Sequence, residues 1–392
     1  MQQSEPAIDA RSMNVLFVVH YTALYGANRS LLALLTGLQE RGHGCSVIVP
    51  GSGPFTEALA RNGVHYVIHD VPWSFGRKAL PSWRSRIHAI GNWAKRERQT
   101  VMYVRRLIRE HKIDLVHTNS VVVASGLFAA LLERRPHVWH LREFADLDYD
   151  LVPLAGMRFI RWLIRRSRAV ICVSWAVKDH FRLPDRSLVR VIYNGVASKA
   201  YMQRMEPRSG RTSDQGTFGI IGVVSPVKGQ EVAIRALAIV KDRYPDVKLH
   251  VIGEGASIPQ MQQLAVSLGV RENVVFHGYV SHVRALLKEC DALLMCSKNE
   301  AMGRVTAEAM SEAIPVIGLA SGGTRELIGN GTDGSLYSGS PEELAARMIT
   351  LLEDRPLYAR LSAGALEKAR SWFSNEHYVD QVMDLYRSVI GK

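Results

Sequence analysis

Residues 293–328 read LLMCSKNEAMGRVTAEAMSEAIPVIGLASGGTRELI, and this stretch decides the fold. The apolar run LLMC predicts a buried strand, and the polar loop SKNEAMG leads from it into a helix from about Arg304 to Ser311. The run IPVIG predicts the next strand, and SGG opens a further helix. Strands and helices that alternate in this way indicate an α/β protein with a parallel sheet.

Two carboxylates stand on either side of the step from loop to helix: Glu300 in the loop and Glu308 in the helix. A helix start presents free N–H groups and a partial positive charge, which suit a diphosphate. Carboxylates on either side of a diphosphate can accept hydrogen bonds from sugar hydroxyls, so this arrangement predicts a nucleotide-sugar site. Two acids at this spacing alone would fit a solvated helix face equally well, so the flanking residues decide between the two interpretations.

The flanking pieces EAMG, EAM, PVI and GGTRE are all in register around Glu300 and Glu308. Together they strongly resemble the C-terminal signature of the retaining, metal-independent nucleotide-sugar glycosyltransferases of the GT-B fold. In that large bacterial family, of the family 4 type, two acidic residues lie eight positions apart. The resemblance implies an α/β fold class, with two doubly wound Rossmann-like domains that face a cleft and an active site in that cleft. Because the family often has EGFG where this chain has EAMG, the identity of the sugar does not follow.

The resemblance also implies roles for single residues. It assigns Glu300 to the transferred sugar and Glu308 to the ribose hydroxyls, and it places Lys228 at the leaving diphosphate. Lys228 follows the strand FGIIG, at the carboxyl end of a strand, where a cation can stabilise a leaving group without a metal. The expected catalytic residues are Lys228, Glu300 and His140. The expected donor-binding residues are Gly26, Ala27, Gly222, Gly253, Glu254, Gly303, Arg304, Val305 and Glu308.

Three positions depart from the family pattern or fit a second interpretation. Val223 stands where the family usually has an Arg, so Arg304 or an Arg of the N-terminal half supplies the missing charge, or donor affinity is weaker. Ala27 replaces the second glycine of a family Gly-Gly pair and adds one methyl group. His140 ends the strand HVWH and resembles a family histidine near the transferred sugar, although a packing role also fits.

No metal or other cofactor is expected. The acids Asp146, Asp148 and Asp150 alternate in the loop after His140, which could suggest a metal site. The resemblance implies instead that Lys228 and the helix ends do the work of a metal, with the leaving phosphate as the base.

The positive charge lies in one half of the chain. Residues 1–200 contain 28 Lys and Arg against 15 Asp and Glu, a net charge of +13, whereas residues 201–392 contain 21 against 22, a net charge of −1. Basic residues surround tryptophans in PSWRSRIHAIGNWAKRER and MRFIRWLIRRSR, which suits an anionic membrane surface. A solvated face of an ordinary core helix is the alternative, and nucleic acid is not an expected partner because no recognition motif accompanies the charge. The expected acceptor and membrane residues are Arg84, Arg86, Arg142, Arg161 and Arg165.

The chain is expected to be cytoplasmic and peripheral on the inner face of the plasma membrane. The N-terminus lacks the pattern of a signal peptide, and the longest apolar run, about 121–132, is too short to span a bilayer. The four cysteines form no CxxC pair and lie in or beside apolar runs, which favours reduced, buried thiols.

These observations predict a basic, acceptor-binding Rossmann-like domain at 1–196, a polar linker at 197–216, a nucleotide-sugar-binding domain at 217–374, and a helix at 375–392 that crosses back to the first domain. The predicted activity is sugar transfer from a UDP- or GDP-sugar to a lipid-linked glycan for a cell-surface polysaccharide. The alternatives are a transferase for a small soluble acceptor, a nucleotide-sugar epimerase of the same fold, or an inactive scaffold. Only Val223 favours the scaffold, whereas Lys228, Glu300 and Glu308 argue against it.

Overall fold

The computed structural model describes residues 12–77, 83–210, 215–280 and 282–390. Part of the predicted linker, residues 211–214, lies outside the described residues, as do the first 11 residues and the last two of the chain.

The N-terminal unit is built on a seven-stranded parallel sheet with one small antiparallel pair beside it. Its strands are β1 (Asn14–Val18), β2 (Gly44–Val49), β3 (His65–Ile68), β4 (Phe75–Arg77), β5 (Leu115–Thr118), β6 (His137–Leu141), β7 (Leu151–Pro153), β8 (Ala169–Cys172) and β9 (Val189–Val191). Its helices are α1 (Gly26–Glu40), α2 (Pro54–Arg61), α3 (Trp83–Glu110), α4 (Ser125–Leu132), α5 (Met157–Ile164) and α6 (Trp175–His180). A short helix, α7 (Lys199–Gln203), lies within the predicted linker 197–216 and packs on α14 (Arg355–Trp372) of the C-terminal unit.

The C-terminal unit repeats this architecture with a six-stranded parallel sheet. Its strands are β10 (Thr217–Ile221), β11 (Lys248–Ile252), β12 (Val274–Gly278), β13 (Ala292–Met295), β14 (Val316–Leu319) and β15 (Ser335–Tyr337). Its helices are α8 (Gln230–Lys241), α9 (Ile258–Ser267), α10 (Val283–Glu289), α11 (Arg304–Ser311), α12 (Thr324–Leu327), α13 (Pro341–Glu353), α14 (Arg355–Trp372) and α15 (Asn375–Ile390). Two doubly wound Rossmann-like units confirm the predicted fold class.

The central strands β5, β6, β13 and β14 are buried along their whole length because helices cover both faces of each sheet. In β13 and β14 every residue is buried, as the runs LLMC and IPVIG predict. The strand order is β3-β2-β1-β5-β6-β8-β9 in the first sheet and β12-β11-β10-β13-β14-β15 in the second. The order reverses between β1 and β5 and between β10 and β13, and ligands of open α/β sheets bind at such points.

The last helix packs on the N-terminal unit. Val379 of α15 contacts Gly37 of α1 so closely that a Cβ on that glycine would lie 2.6 Å from a valine methyl. Tyr378, Val382 and Tyr386 of α15 are buried in one cluster with residues of β1 and α1. The chain therefore runs from the first unit to the second and returns, which ties the two units together.

One helix begins later than the sequence predicts. The apolar run from Ser120 predicts a helix there, but α4 begins at Ser125, and Ser120–Ala124 forms a buried loop. The carboxylate of Glu143 accepts hydrogen bonds from the Ser120 hydroxyl and from the Val121 N–H at 2.8 Å. These bonds hold the loop open at the carboxyl end of β5, at the switch point of the first sheet.

Candidate active site

The two loops at the switch point of the second sheet bring Lys228 and Glu300 together. Lys228 follows β10 and Glu300 follows β13, and the Lys228 Nζ lies 2.7 Å from Glu300 Oε2. Burial lowers the pKa of Lys228, but the Glu300 carboxylate and Asp148 raise it more, so the net shift is upward. The lysine is therefore a protonated cation at neutral pH, at the carboxyl edge of the sheet.

The glycine pair in GGTRE shapes the loop that carries Glu300. The Gly323 N–H donates to the Glu300 carbonyl at 2.7 Å. Gly322 has φ +52, and a Cβ there would lie 2.7 Å from the same carbonyl oxygen. Side chains at these positions would push the loop away, so the glycines set the position of Glu300.

A second ion pair lies one helix turn further along. Arg304 is the first residue of α11, and its Nε donates to Glu308 Oε1 at 2.9 Å. Its other end reaches the N-terminal unit, donating to Ser30 Oγ at 2.7 Å and to the Gly195 carbonyl at 2.8 Å. The Arg304 side chain thus spans the cleft, while the backbone of Gly303, Arg304 and Val305 forms the helix start predicted to face a diphosphate.

Arg304 is also a candidate for the positive charge that the family places at position 223, where this chain has Val. Val223 is exposed, as expected for a residue at the cleft surface. The Arg304 guanidinium is engaged with Glu308, and its Cδ would lie 3.6 Å from a Cβ on Gly26. Burial lowers the pKa of Arg304, although Glu308 opposes this. A positive charge therefore lies beside Gly26 and Ala27, at the start of α1, although it is shared with Glu308.

The loops after β10 and β11 touch through their glycines. Val224 N–H donates to the Glu254 carbonyl at 2.8 Å, and a Cβ on Gly253 would lie 2.0 Å from the Gly222 carbonyl oxygen. Gly253 has φ +142, a conformation that other residues rarely adopt. The sequence GEG is therefore required for this close approach, and the Glu254 side chain is exposed at the edge of the cleft.

His140 does not face the cleft in this structure. Its side chain is fully buried, and both ring nitrogens lack a hydrogen-bond partner among the described residues. Its ring centroid lies 5.3 Å from that of His117 and 6.5 Å from that of Tyr378 in α15. Burial, with help from Arg142 and His117, lowers its pKa well below the usual value, so His140 is a neutral residue beneath the last helix.

Arg142 is likewise part of the interior rather than an open acceptor surface. It donates to Asn119 Oδ1 at 2.9 Å, to Asn194 Oδ1, and to the Tyr378 hydroxyl at 2.9 Å. Only 7% of the residue is exposed. Its bonds join the loops after β5, β6 and β9 to α15, so we assign it a structural role in place of the expected contact with the acceptor.

The loop after β6 also holds two acids, the buried Glu143 and the partly buried Asp148, and the charge of Asp148 raises the pKa of Lys228. Burial raises the pKa of Glu143 to about 7 and that of Asp148 to about 6, with Glu300 adding to the shift of Asp148. Asp148 also accepts hydrogen bonds from the N–H groups of Phe144 at 3.0 Å and Ala145 at 2.8 Å. The sequence places both acids in the run REFADLDYD after a strand end, where Arg142 and Glu143 are expected to face the cleft and Asp148 belongs to the possible metal motif.

The three alternating aspartates do not converge. Asp146 lies 2.9 Å from His180 Nε2, and Asp148 bonds backbone N–H groups of its own loop. Within the described ranges no group of three or more His, Cys, Asp or Glu side chains is placed to hold a metal ion.

One further acid in the quoted stretch joins the two units. The Glu326 carboxylate accepts hydrogen bonds from the N–H groups of Trp175 at 2.8 Å and Ala176 at 2.6 Å, at the start of α6. The Tyr193 hydroxyl also donates to it, at 3.1 Å. The final acid of GGTRE is therefore an interdomain contact, for which the sequence analysis proposed no role.

The basic residues of the first unit form one surface, made by the first half of α3 and by α5. Arg86 Nε donates to the Leu154 carbonyl at 2.8 Å, so α3 adjoins the segment that leads into α5. Trp162 is exposed, stacks on Phe159 and has the Arg166 guanidinium 4.7 Å from its ring centroid. Among the expected residues, Arg84, Arg86 and Arg165 are exposed, whereas Arg161 is partly buried and bonds the His180 carbonyl.

Along the described chain, none of the helices has the length and apolar character to cross a bilayer.

Comparison with known proteins identifies both units. A model described as Glycosyltransferase Family 4 matches residues 25–199, and one described as Glycosyl transferases group 1 matches residues 202–368. A 2-deoxystreptamine glucosyltransferase of Streptomyces kanamyceticus is 30% identical over 59% of this chain and 63% of its own length, so the match spans less than two thirds of that relative. The putative glycosyltransferase EpsD of Bacillus subtilis is 29% identical over 72% of this chain and 78% of its own.

Solved structures show the same fold. HepE of Anabaena, crystallised with UDP, superimposes with a TM-score of 0.77 at 23% identity over 96% of this chain and 100% of its own. The same protein has also been crystallised with UDP-glucose, and that structure matches with a TM-score of 0.76 at 24% identity.

Proposed function

Because the chain belongs to the group 1 glycosyltransferases, we propose that it moves a sugar from a UDP- or GDP-sugar to an acceptor hydroxyl with retention of configuration. The acceptor in this proposal is a lipid-linked glycan at the inner face of the plasma membrane, used in cell-surface polysaccharide synthesis. The UDP and UDP-glucose bound by HepE support a nucleotide-sugar donor.

The observation that carries the proposal is the pair of ion pairs around the start of α11. Lys228–Glu300 lies at one side of this helix start and Arg304–Glu308 at the other. A diphosphate at the helix N-terminus would receive its N–H groups and the positive end of its dipole. The transferred sugar would then lie toward Glu300 and the ribose toward Glu308.

In the proposed reaction the bond between the sugar C1 and the diphosphate oxygen breaks, and a bond from C1 to the acceptor oxygen forms on the same face. The acceptor proton passes to the departing phosphate oxygen. Lys228 stabilises the negative charge that develops on that oxygen, since a preorganised cation acts most strongly where charge appears in the transition state. Donor entry would exchange the Lys228–Glu300 ion pair for a lysine–phosphate contact and a carboxylate–hydroxyl contact.

Release of free nucleoside diphosphate from a panel of UDP- and GDP-sugars tests the function, with EDTA in excess throughout. We expect slow release from one of these donors without any added metal, because Lys228 and the α11 start supply the positive charge. Release that appears only after magnesium or manganese is added would contradict the metal-free mechanism and return attention to Asp146, Asp148 and Asp150. The absence of release from every donor, with and without metal, would favour a scaffold.

Replacing Glu308 by Ala should weaken binding of the donor nucleotide by about 1–3 kcal/mol, about five- to 150-fold, through loss of hydrogen bonds to a charged acceptor. Calorimetric titration with the nucleoside diphosphate measures this. Glu308→Gln is the matched variant, since it keeps the size and one carbonyl oxygen and should lose less. Unchanged affinity in a folded Glu308→Ala protein would contradict the ribose assignment.

The basic surface of α3 and α5 supports the membrane part of the proposal. Exposed Lys and Arg side chains beside an exposed tryptophan are typical of helices that lie on anionic lipid. The surface belongs to the N-terminal unit, so it would hold a lipid-linked acceptor near the cleft and leave the donor side in water. A soluble acceptor is the competing hypothesis, and the liposome experiment below separates the two.

A further inference from the structure

Aromatic side chains form a connected arc at the carboxyl edge of the first sheet. The ring centroids of Trp73 and His20 are 5.4 Å apart, those of His20 and Tyr21 are 4.5 Å apart, and those of Tyr21 and Tyr25 are 6.4 Å apart. His20 and Tyr21 directly follow β1, and Tyr25 directly precedes Gly26. The arc therefore begins where the donor phosphate is expected and runs outward along the N-terminal side of the cleft.

One exposed ring of the arc, that of Trp73, is held in place by the backbone. Trp73 Nε1 donates to the His20 carbonyl at 3.2 Å, yet 39% of the residue is exposed. The neighbouring Ser74 N–H donates to the Val122 carbonyl at 2.7 Å, in the loop after β5. Tyr25 is 56% exposed. Large aromatic faces that are fixed but open to solvent are typical of binding surfaces rather than of the core.

Tyr149 adds a fifth ring, from the loop after β6. Its loop is shaped by Asp148, which bonds two N–H groups of that loop, and by Asn299 Nδ2, which donates to the Leu147 carbonyl at 3.2 Å. Tyr149 is 66% exposed as a residue, whereas removal of its hydroxyl from water, with smaller effects of Asp148, Glu143, Tyr21 and Glu300, raises its pKa. The loop thus presents an aromatic ring and carboxylates close to the proposed reaction centre.

We propose that Trp73, Tyr21, Tyr25 and Tyr149 form a subsite for the acceptor. A pyranose ring of the acceptor would stack on the aromatic faces of these residues. This inference rests on the proposed function, and it assigns the acceptor's saccharide part to a particular surface. The C–H groups of a sugar ring carry small positive charges and are attracted to the negative face of an aromatic ring. The hydroxyl groups of the sugar would donate to the partly exposed carboxylate of Asp148, which precedes Tyr149 in the chain.

The chemistry of the arc distinguishes a sugar from the lipid part of an acceptor. A lipid diphosphate needs cations, and exposed Lys and Arg side chains lie on α3 and α5, whereas the proposed subsite combines aromatic faces with the partly exposed carboxyl group of Asp148, next to Tyr149 in the chain. Carboxylates repel a phosphate but accept hydrogen bonds from hydroxyls. The two surfaces therefore suit the two chemically different parts of one glycolipid.

Proton NMR with octyl glycosides of glucose, galactose and N-acetylglucosamine as probes tests this subsite. The ring protons of at least one glycoside should shift upfield on binding because they lie over aromatic faces. Trp73→Ala and Tyr149→Ala should each raise the dissociation constant about three- to tenfold, the effect of losing one aromatic contact. Trp372→Ala, which removes a similarly exposed ring from α14, is the matched control and should leave the constant unchanged.

The outcomes separate this inference from the proposed function. Equal binding of octyl tetraethylene glycol, which lacks a sugar, would show that the arc takes an alkyl chain and would overturn the proposal. Failure of the wild type to bind any glycoside, or unchanged binding in both arc variants, would overturn it as well. Release of nucleoside diphosphate from the donor is measured on the same proteins. If release persists while glycoside binding fails, only the subsite is wrong; if release itself is absent in the wild type, the proposed function fails first.

Discussion

Replacing Lys228 by Ala should lower turnover by on the order of 100-fold or more, with a smaller effect on donor affinity. The reason is that the Lys228 ammonium acts on charge that develops as the diphosphate departs, whereas the ground-state donor is also held by the α11 start and by Glu308. Single-turnover and steady-state rates of nucleoside diphosphate release measure the change.

Two variants control this experiment. Lys298→Ala removes an exposed lysine two residues from Glu300 in the same region of the cleft, and it should be near neutral. Lys228→Arg keeps the charge and should recover part of the rate, although an ammonium and a guanidinium differ in geometry. A near-normal rate in Lys228→Ala would mean that another cation carries the role, and Arg304, 2.9 Å from Glu308, would be examined first.

The second large effect concerns the membrane. The wild type should sediment with anionic liposomes, more at higher anionic lipid content and less in added salt, because charge attraction decays within a Debye length. Changing Lys95, Arg98, Arg158 and Arg165 together to Glu should reduce the partition coefficient by about 1,000-fold or more, from roughly 1 kcal/mol for each lost cation. All four are exposed on α3 or beside α5.

These four residues are chosen because the structure engages other basic residues of the surface. Arg96 forms an ion pair with Asp70 at 2.6 Å, and Arg86 bonds a carbonyl, so reversing either would also disturb the fold. Lys298, Arg325 and Arg355 of the C-terminal unit, all exposed, provide the control: reversed together they change the net charge by six units and should leave sedimentation largely intact. If the wild type does not sediment with anionic liposomes at low salt, the hypothesis of a lipid-linked acceptor loses its main support.

The parts of the site that the sequence predicts are local in the chain. The step from β13 to α11 and the glycine pair near Glu300 lie within one continuous stretch, and the hydrophobic pattern and turn residues of that stretch define its structure. Lys228 lies at a strand end of the neighbouring element. Its meeting with Glu300 follows from the switch point between β10 and β13, which a parallel sheet of this order creates.

The parts that escaped prediction depend on contacts between distant residues. His140 and Arg142 are buried because α15 returns over them, and Tyr378 lies 236 positions from its partner Arg142. Arg304 bonds Ser30, which is 274 positions away. A pattern within one strand or helix holds no information about such a partner, so the sequence predicts His140 as a cleft residue and does not reveal that Arg304 joins the two units.

The aromatic arc of the N-terminal unit likewise depends on contacts between distant residues, so the sequence does not predict it. Trp73 and His20 are separated by 53 positions, and nothing in the short segment around either residue indicates that they touch. Their proximity follows only when β1 is known to lie at the switch point, with β3 at the edge of the same sheet. The composition of the chain predicts a polyanionic partner for this half, but it does not show where a neutral sugar would bind.

Proton NMR of donor turnover by the wild type tests the central claim most directly, since it observes the sugar–diphosphate bond and the configuration of the released or transferred sugar together. In excess EDTA we expect one UDP- or GDP-sugar to be cleaved, with the first product in the same anomeric configuration as the donor, and we expect Lys228→Ala to lose this reaction. A first product of the opposite configuration, or cleavage that is unchanged in Lys228→Ala and Glu308→Ala, would contradict the account.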